Sequence, residues 1–263
     1  MLTESQDVLL ARRPCGDAVC AEIWLNRPEK GNALTTAMIE RLGTIVDELT
    51  DDRDTRVVIV RGRGRAFCAG GDIAEWGHLT PLDLARHWIL KGNDVFARLA
   101  ALPQPVVAVI SGHALGGGLE LAMAADLRVA VKSATLGCPE ATLGMVPGWM
   151  GTGRLAELIG PARARHLLLL GTPISAAQAC DWGLVTALAE DEDDLERQLD
   201  AWLHRLTANG PAAMALIKGL VGTLHRDLRE HHASAAAQAA ATDDCREGVR
   251  AFLEKRPPVF RNR

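Results

Sequence analysis

The sequence predicts an α/β fold: a core built on a parallel sheet, followed by a helical C-terminal part. Three observations carry this. The run Val106-Val107-Ala108-Val109-Ile110, set off by Pro103 and Pro105, is short, apolar and β-branched, the pattern of a strand buried on both faces. Short strand candidates alternate with helical stripes up to a shift near Leu170 to Thr172. From Leu195 onward the chain reads as almost all helix, alanine-rich around Ala233 to Ala241, with no strand candidate.

In chain order, Val8 to Arg13 and Ala18 to Leu25 are strand candidates, and Pro14-Cys15-Gly16-Asp17 between them predicts a hairpin turn. Asn26 to Leu34 is a loop by its Pro, Gly and Asn content. A helix is expected from Thr36 to Leu49, with Ile39, Leu42, Val46 and Leu49 at helical spacing, and then a buried strand at Val57 to Val60. The loop Gly62 to Asp72 follows. Its Gly62-x-Gly64 lacks the third glycine and the helix of a nucleotide fingerprint. Ala69-Gly70-Gly71 has almost no side chain to hold a ligand away from the backbone. Thr80-Pro81 starts a helix that runs to Pro103, with Leu82, Ala85, Trp88, Ile89, Val95, Phe96, Leu99 and Leu102 as its core stripe. After Val106 to Ile110, Gly112, Gly116, Gly117 and Gly118 turn the chain into the helix formers Leu119 to Ala124. Leu127 to Val131 is another strand. Three short helices, Arg154 to Ile159, Pro161 to Leu170 and Ser175 to Trp182, are ended by Gly160, Gly171 and Gly183. Glu190 to Asp194 is a solvated helix entrance, and Arg246 to Arg263 is locally basic.

Composition narrows the function classes. The chain has 263 residues, 48% hydrophobic and 24% charged, which fits one large domain or a domain with an appendage and gives no sign of disorder. A formal net charge of −4 offers no global reason to bind nucleic acid or a membrane surface. Cys15, Cys20, Cys68, Cys138, Cys180 and Cys245 form no C-x-x-C pair, so reduced thiols are expected rather than a zinc site or disulfide framework. His87 and His113 lack spaced partners, and no metal is expected. The first residues have too short an apolar core for a signal peptide, and no apolar run reaches the length of a membrane span. The expectation is a cytoplasmic enzyme or binding protein.

The chemistry concentrates after Ile110. A helix start leaves N–H groups unpaired and carries positive partial charge, so negative charge that develops beside Gly116 to Gly118 is stabilised there. Glu120 sits one turn in, among Leu119, Leu121 and Ala122, where a carboxylate is costly to bury without a partner or a task. The same residues also fit a turn made for close packing, with an acid that complements the helix dipole. This stretch alone leaves both readings open.

Six ordered segments together resemble the enoyl-CoA hydratase/isomerase (crotonase) family over nearly the whole chain. They are Leu25-Asn26-Arg27-Pro28 with Asn32-Ala33-Leu34, Phe67 to Ile73, Gly112 to Ala122, Pro139-Glu140 with Gly144 and Pro147-Gly148, Ala176 with Gly183-Leu184-Val185, and Glu247-Gly248 with Phe252 to Arg256. The resemblance implies a crotonase-like spiral of ββα units over residues 1–195 and a C-terminal helical trimerisation region over 196–263, the trimers often paired as hexamers. It implies an acyl-CoA substrate whose enolate is held in an oxyanion hole made by the backbone N–H groups of Gly71 and Gly117. Removing one such donor typically costs on the order of 100- to 1,000-fold in rate.

By resemblance, Glu140 exchanges the proton at the α-carbon and Glu120 holds and activates water, with Gly148 near that water. The implied reaction is hydration of a 2-enoyl-CoA to the 3-hydroxyacyl-CoA, with coenzyme A entering as part of the substrate and no separate cofactor. Alternatives are double-bond isomerisation or another dehydration or hydrolysis on the same enolate, and more remotely a non-catalytic RNA-binding member. Lys30 and Ala69, Gly70, Asp72 and Ile73 are expected to face CoA, and Phe252 and Lys255 to reach the CoA of a neighbouring subunit. The chain departs from the family pattern at Gly71, where many members have Ala, at Gly153, where Gln is frequent, and at Trp149 and Met150, where small residues are common. With Trp76 and His78 in the loop that borders the acyl chain in relatives, Trp149 is expected to reshape the acyl pocket.

Overall fold

The alternating pattern of the first strands closes a hairpin, and the chain then winds. In the computed structural model, which describes residues 7–16, 18–221, 237 and 240–256, β1 (Val8–Cys15) pairs antiparallel with β2 (Ala18–Leu25), with Val8 opposite Leu25. Pro14, expected in the turn, lies inside β1. That strand is at the edge of its sheet, where a missing N–H costs no ladder bond. Asp17 of the expected turn lies outside the described residues.

After the helix Thr36–Thr50, each turn of chain lays one strand in a six-stranded sheet and a short one in a four-stranded sheet. The pairs are β3 (Thr55–Gly62) with β4 (Ala66–Cys68), β5 (Val106–Ile110) with β6 (His113–Leu115), and β7 (Leu127–Val131) with β8 (Thr135–Gly137). With β9 (Ile174–Ser175) and β10 (Ala187–Ala189), the sheet orders are β1-β2-β3-β5-β7-β10 and β4-β6-β8-β9. Each turn therefore advances one position in both sheets, and helical returns keep β3, β5 and β7 parallel. This is the expected spiral of ββα units. All five residues of β5 are buried, as its apolar run requires.

Three elements differ from the sequence reading. The strands β4, β6, β8, β9 and β10 have two or three residues each, too few for a period to show. The glycine turn after β5 consequently contains a strand of the second sheet. The helix expected from Thr80 is Pro81–Asp83, a π-helical stretch Leu84–Ile89, and Leu90–Ala100. The wider π turn moves the inward position from Leu82, which is 56% exposed, to Leu84, which is buried. Helix Glu192–Ala208 crosses the expected 195/196 boundary. Its Leu195, Leu199 and Leu203 are buried and it packs on β3, β7 and β10, so it belongs with the core. Its entrance is the expected one, with Asp191 accepting from the Asp194 N–H.

Gly160, with φ 78° and ψ 157°, breaks Gly151–Leu170 into the two helices expected there. Helices Pro211–Val221 and Asp243–Leu253 follow. Most of the alanine-rich stretch, and Arg261 and Arg263 of the basic end, lie outside the described residues.

Candidate functional site

The site begins with two backbone loops. Buried Asn32 donates through Nδ2 to the carbonyls of Arg63 (2.9 Å), Ala66 (2.8 Å) and Phe67 (3.2 Å), and its Oδ1 accepts from the Arg27 N–H (2.9 Å). That side chain ties loop 26–34 to the strand leading into Ala69-Gly70-Gly71. Leu34 then donates to Gly70 O (2.8 Å) and accepts from the Asp72 N–H (2.7 Å). A residue flanked in this way on one side directs its own N–H to the other, so the Gly71 N–H faces away from Leu34. On the second loop Gly116 donates to Gly137 O (2.8 Å) and takes φ 52°, ψ −127°, a conformation open to glycine alone. Gly117 opens the helix Gly117–Met123, where N–H groups lack intrahelical acceptors. The two loops lie side by side, since a Cβ on Gly117 would be 3.4 Å from Gly71 N. Neither N–H donates to another backbone group among the described residues.

Glu120, in the first turn of that helix, is 1% exposed. Its Oε1 accepts from the Trp149 N–H (2.8 Å) and the Gly151 N–H (2.7 Å). Met150 between them adopts the left-handed conformation (φ 66°), which turns both amides toward one oxygen and makes an anion-binding nest. Burial pushes the Glu120 carboxyl up to about 7, while the Gly151 and Trp149 amides and the nearby Arg154 guanidinium hold it down.

Glu140 stands in the 3-10 turn Pro139–Leu143. Its Oε2 is enclosed and has no hydrogen-bond partner. Burial, and then the charge of Glu120, push its carboxyl up to about 8. The Glu120 anion is held by amides from a distant segment and by Arg154, whereas Glu140 has only its own amide to hold it down, so a single proton shared by the pair favours Glu140.

Both acids and both glycines line one cavity of about 60 Å³. Gly148 and Trp149 line it too. Trp76, expected beside the acyl chain, lines it as well, whereas Lys30, Ala69, Gly70, Asp72, Ile73, Phe252 and Lys255 do not. Lys30 and Ala69 are exposed neighbours, linked through the Ala69 N–H to Gly31 O bond (2.8 Å). Gly70 is buried beside Gly117, and Ile73 is half-buried. The Asp72 carboxylate is engaged within the fold: Oδ2 pairs with Arg27 (2.5 Å) and Oδ1 caps the helix Ile73–Trp76 through the Ala74 N–H (2.9 Å). Phe252, 56% exposed, and Lys255 lie around the C-terminal end of Asp243–Leu253, and neither lines the cavity of its own chain.

Trp88 and Ile89, expected in the core, also face the cavity, and Leu84 and Arg154 are functional neighbours that the sequence pattern does not single out. The π stretch places Leu84, Trp88 and Ile89 on the cavity wall, and the five-residue step from Leu84 to Ile89 is one that an α-helical period does not show. Among the described residues, no group of three or more His, Cys, Asp or Glu could hold a metal ion, and no helix is long and apolar enough to cross a membrane.

Comparisons with known proteins agree with this geometry. The model of the enoyl-CoA hydratase/isomerase family matches residues 16–263. A probable enoyl-CoA hydratase of Bacillus subtilis (strain 168) is 35% identical over 249 residues, covering 93% of this chain and 96% of that protein. The crotonyl-CoA hydratase of Syntrophomonas wolfei is 36% identical over 246 residues, covering 91% and 94%. The crystal structure of an enoyl-CoA hydratase from Bacillus anthracis superposes with a TM-score of 0.78 at 36% identity, covering 98% of this chain and 100% of that one. The spiral, the paired loops and the matches along nearly the full length lead to one assignment: the chain belongs to the enoyl-CoA hydratase/isomerase family.

Proposed function

We propose that this protein adds water across the double bond of a 2-enoyl-CoA thioester to give the 3-hydroxyacyl-CoA. The observation that carries the reading is the pair of unlike acids facing one small cavity beside two backbone amides. The thioester oxygen accepts from the Gly71 and Gly117 N–H groups. Anionic Glu120 takes a proton from water as the water oxygen bonds to C3, and the π electrons move onto the thioester oxygen as an enolate. Collapse of the enolate draws the Glu140 proton to C2. The pair then holds its one proton on Glu120, and its return to Glu140 resets the site. Water and two carboxyls balance every step, so the reading calls for no further cofactor.

Lys30 and the stretch Ala69 to Ile73 face the CoA moiety in this reading, and Phe252 and Lys255 serve the CoA of a neighbouring copy. Exposed Leu216, Ile217 and Val221 on helix Pro211–Val221, with Leu169 and Leu170, support self-association as a trimer or hexamer.

The test is loss of enoyl conjugation in 2-enoyl-CoA thioesters of rising length, followed spectroscopically. Turnover of at least one, without conversion of the matching 3-enoyl isomer, is expected. Isomerisation without hydration would replace the reading with proton transfer alone, and inertness toward every 2-enoyl-CoA would remove it.

A further inference from the structure

Trp149 occupies a socket cleared for it. A Cβ on Gly117 would lie 2.6 Å from its Cε3, and one on Gly92 would lie 2.7 Å from its Cδ1 and Cε2. Its Cη2 would be 3.4 Å from a Cβ on Gly71. The indole therefore rests against both glycines that flank the thioester oxygen and against the helix Leu90–Ala100. Its Nε1–H donates to Trp88 O (3.3 Å), and the ring centroids of Trp88 and Phe96 are 5.4 and 5.3 Å away. A ring held by a hydrogen bond, two aromatic neighbours and 3% exposure is a fixed wall. Ile89 and Trp88 extend that wall, and Leu143, Met145 and Val146 are also part of the cavity lining.

The space in front of the wall is small. At roughly 10–15 Å³ for each water-sized group, about 60 Å³ takes on the order of four to six such groups, and enoyl carbons placed between the two acids would use most of it. A larger groove of about 420 Å³ lies beyond Trp76 and Leu84, which form the partition between the two spaces.

We infer that Trp149 limits the acyl group to about four carbons and is the specificity-determining residue of the site. The inference rests on the hydratase reading and deepens it to a short-chain 2-enoyl-CoA. An extra methylene that cannot be housed typically costs on the order of 10-fold or more. kcat/KM is accordingly expected to fall at least about 100-fold between the four-carbon and eight-carbon 2-enoyl-CoA substrates.

The experiment measures that ratio for the wild-type protein and for Trp149→Ala, Trp149→Phe and Trp76→Ala. Trp149→Ala should narrow the ratio by at least about tenfold, and Trp149→Phe, which retains the aromatic packing if the alanine variant does not fold, by severalfold. Calorimetric binding of saturated acyl-CoAs of four and eight carbons reads the same limit without any chemistry. A wild type that shows no hydration but still rejects the longer saturated chain would overturn the reaction and uphold the length limit. Equal handling of both lengths by the wild type, or a ratio relaxed by Trp76→Ala and left alone by both Trp149 variants, would overturn the inference, the second by showing that the chain leaves through the outer groove.

Discussion

Glu140→Gln keeps the shape of the side chain and removes its proton. Glu140 Oε2 is enclosed without a partner, so the amide disturbs no existing hydrogen bond at that atom. What is lost is the proton delivered to C2. General acid–base catalysis is typically worth about 10²–10⁴, so kcat should fall by that factor, about 2.7–5.4 kcal/mol of barrier, while KM changes little.

The pH profile makes the test specific. The active form has Glu120 ionised and Glu140 protonated, so wild-type activity rises as pH passes about 7 and falls as it passes about 8. In the variant the falling limb should disappear and the rising limb remain. Stability follows with a defined sign. The folded-state pKa of Glu140 lies above its ordinary value of 4.5, so its stabilising contribution is full below that value and lost as pH rises through about 8. The glutamine cannot lose it. The variant should therefore gain in melting temperature relative to wild type as pH is raised from about 5 to about 9. A kcat within tenfold of wild type, or a falling limb that survives the substitution, would refute the assignment of the acid.

Three further substitutions probe the parts that hold the pair in place. Gly117→Ala would drive a methyl into the Trp149 ring, displacing the amide or the indole; kcat for a four-carbon 2-enoyl-CoA should drop by about 10²–10³, and an unaltered value would show that this amide is not an oxyanion donor. Arg154→Met removes a buried cation that favours ionised Glu120, so the rising limb of the pH profile should move to higher pH, as steady-state kinetics between pH 5 and 8 would reveal, while a stationary limb would make Arg154 a packing residue only. Asn32→Ala leaves carbonyls near Ala66 and Phe67 without their donor. Urea unfolding should report a loss of about 1–3 kcal/mol for each group left unpaired, and an unmoved midpoint would mean that another donor takes over.

Much of the frame was legible because its signals are local. The β-branched run of β5, the Thr36–Thr50 stripe and the Asp191 cap each declare themselves within one element. Strands of two or three residues have no period to read, and the π stretch has a different one. That second failure matters more, because Leu82 satisfies an α-helical stripe while Leu84 is the residue that reaches the cavity. Glu120 was legible as a carboxylate costly to bury among Leu119, Leu121 and Ala122, but Glu140, and the pairing of the two, only as positions in a resemblance. Nothing within five residues of either one says which carries the proton, because their environments are supplied by segments distant in the chain.

Those environments meet in the three residues Trp149, Met150 and Gly151. Met150 in the left-handed region is unfavourable for a bulky residue, on the order of 1 kcal/mol or more, and no composition rule predicts it there. The conformation is held because both neighbouring amides then bond to Glu120, a charge-assisted pair of bonds stronger than the strain. The same turn fixes the backbone from which the Trp149 side chain projects over Gly117 and Gly71. In the proposed mechanism the base and the acyl wall therefore share one structural element: the anion of Glu120 orders the turn, and the ordered turn positions Trp149. Had the wall been mounted on a separate loop, its position would be independent of the ionisation of Glu120. Here protonation of Glu120 weakens the two charge-assisted bonds that hold Trp149 and Gly151 in register.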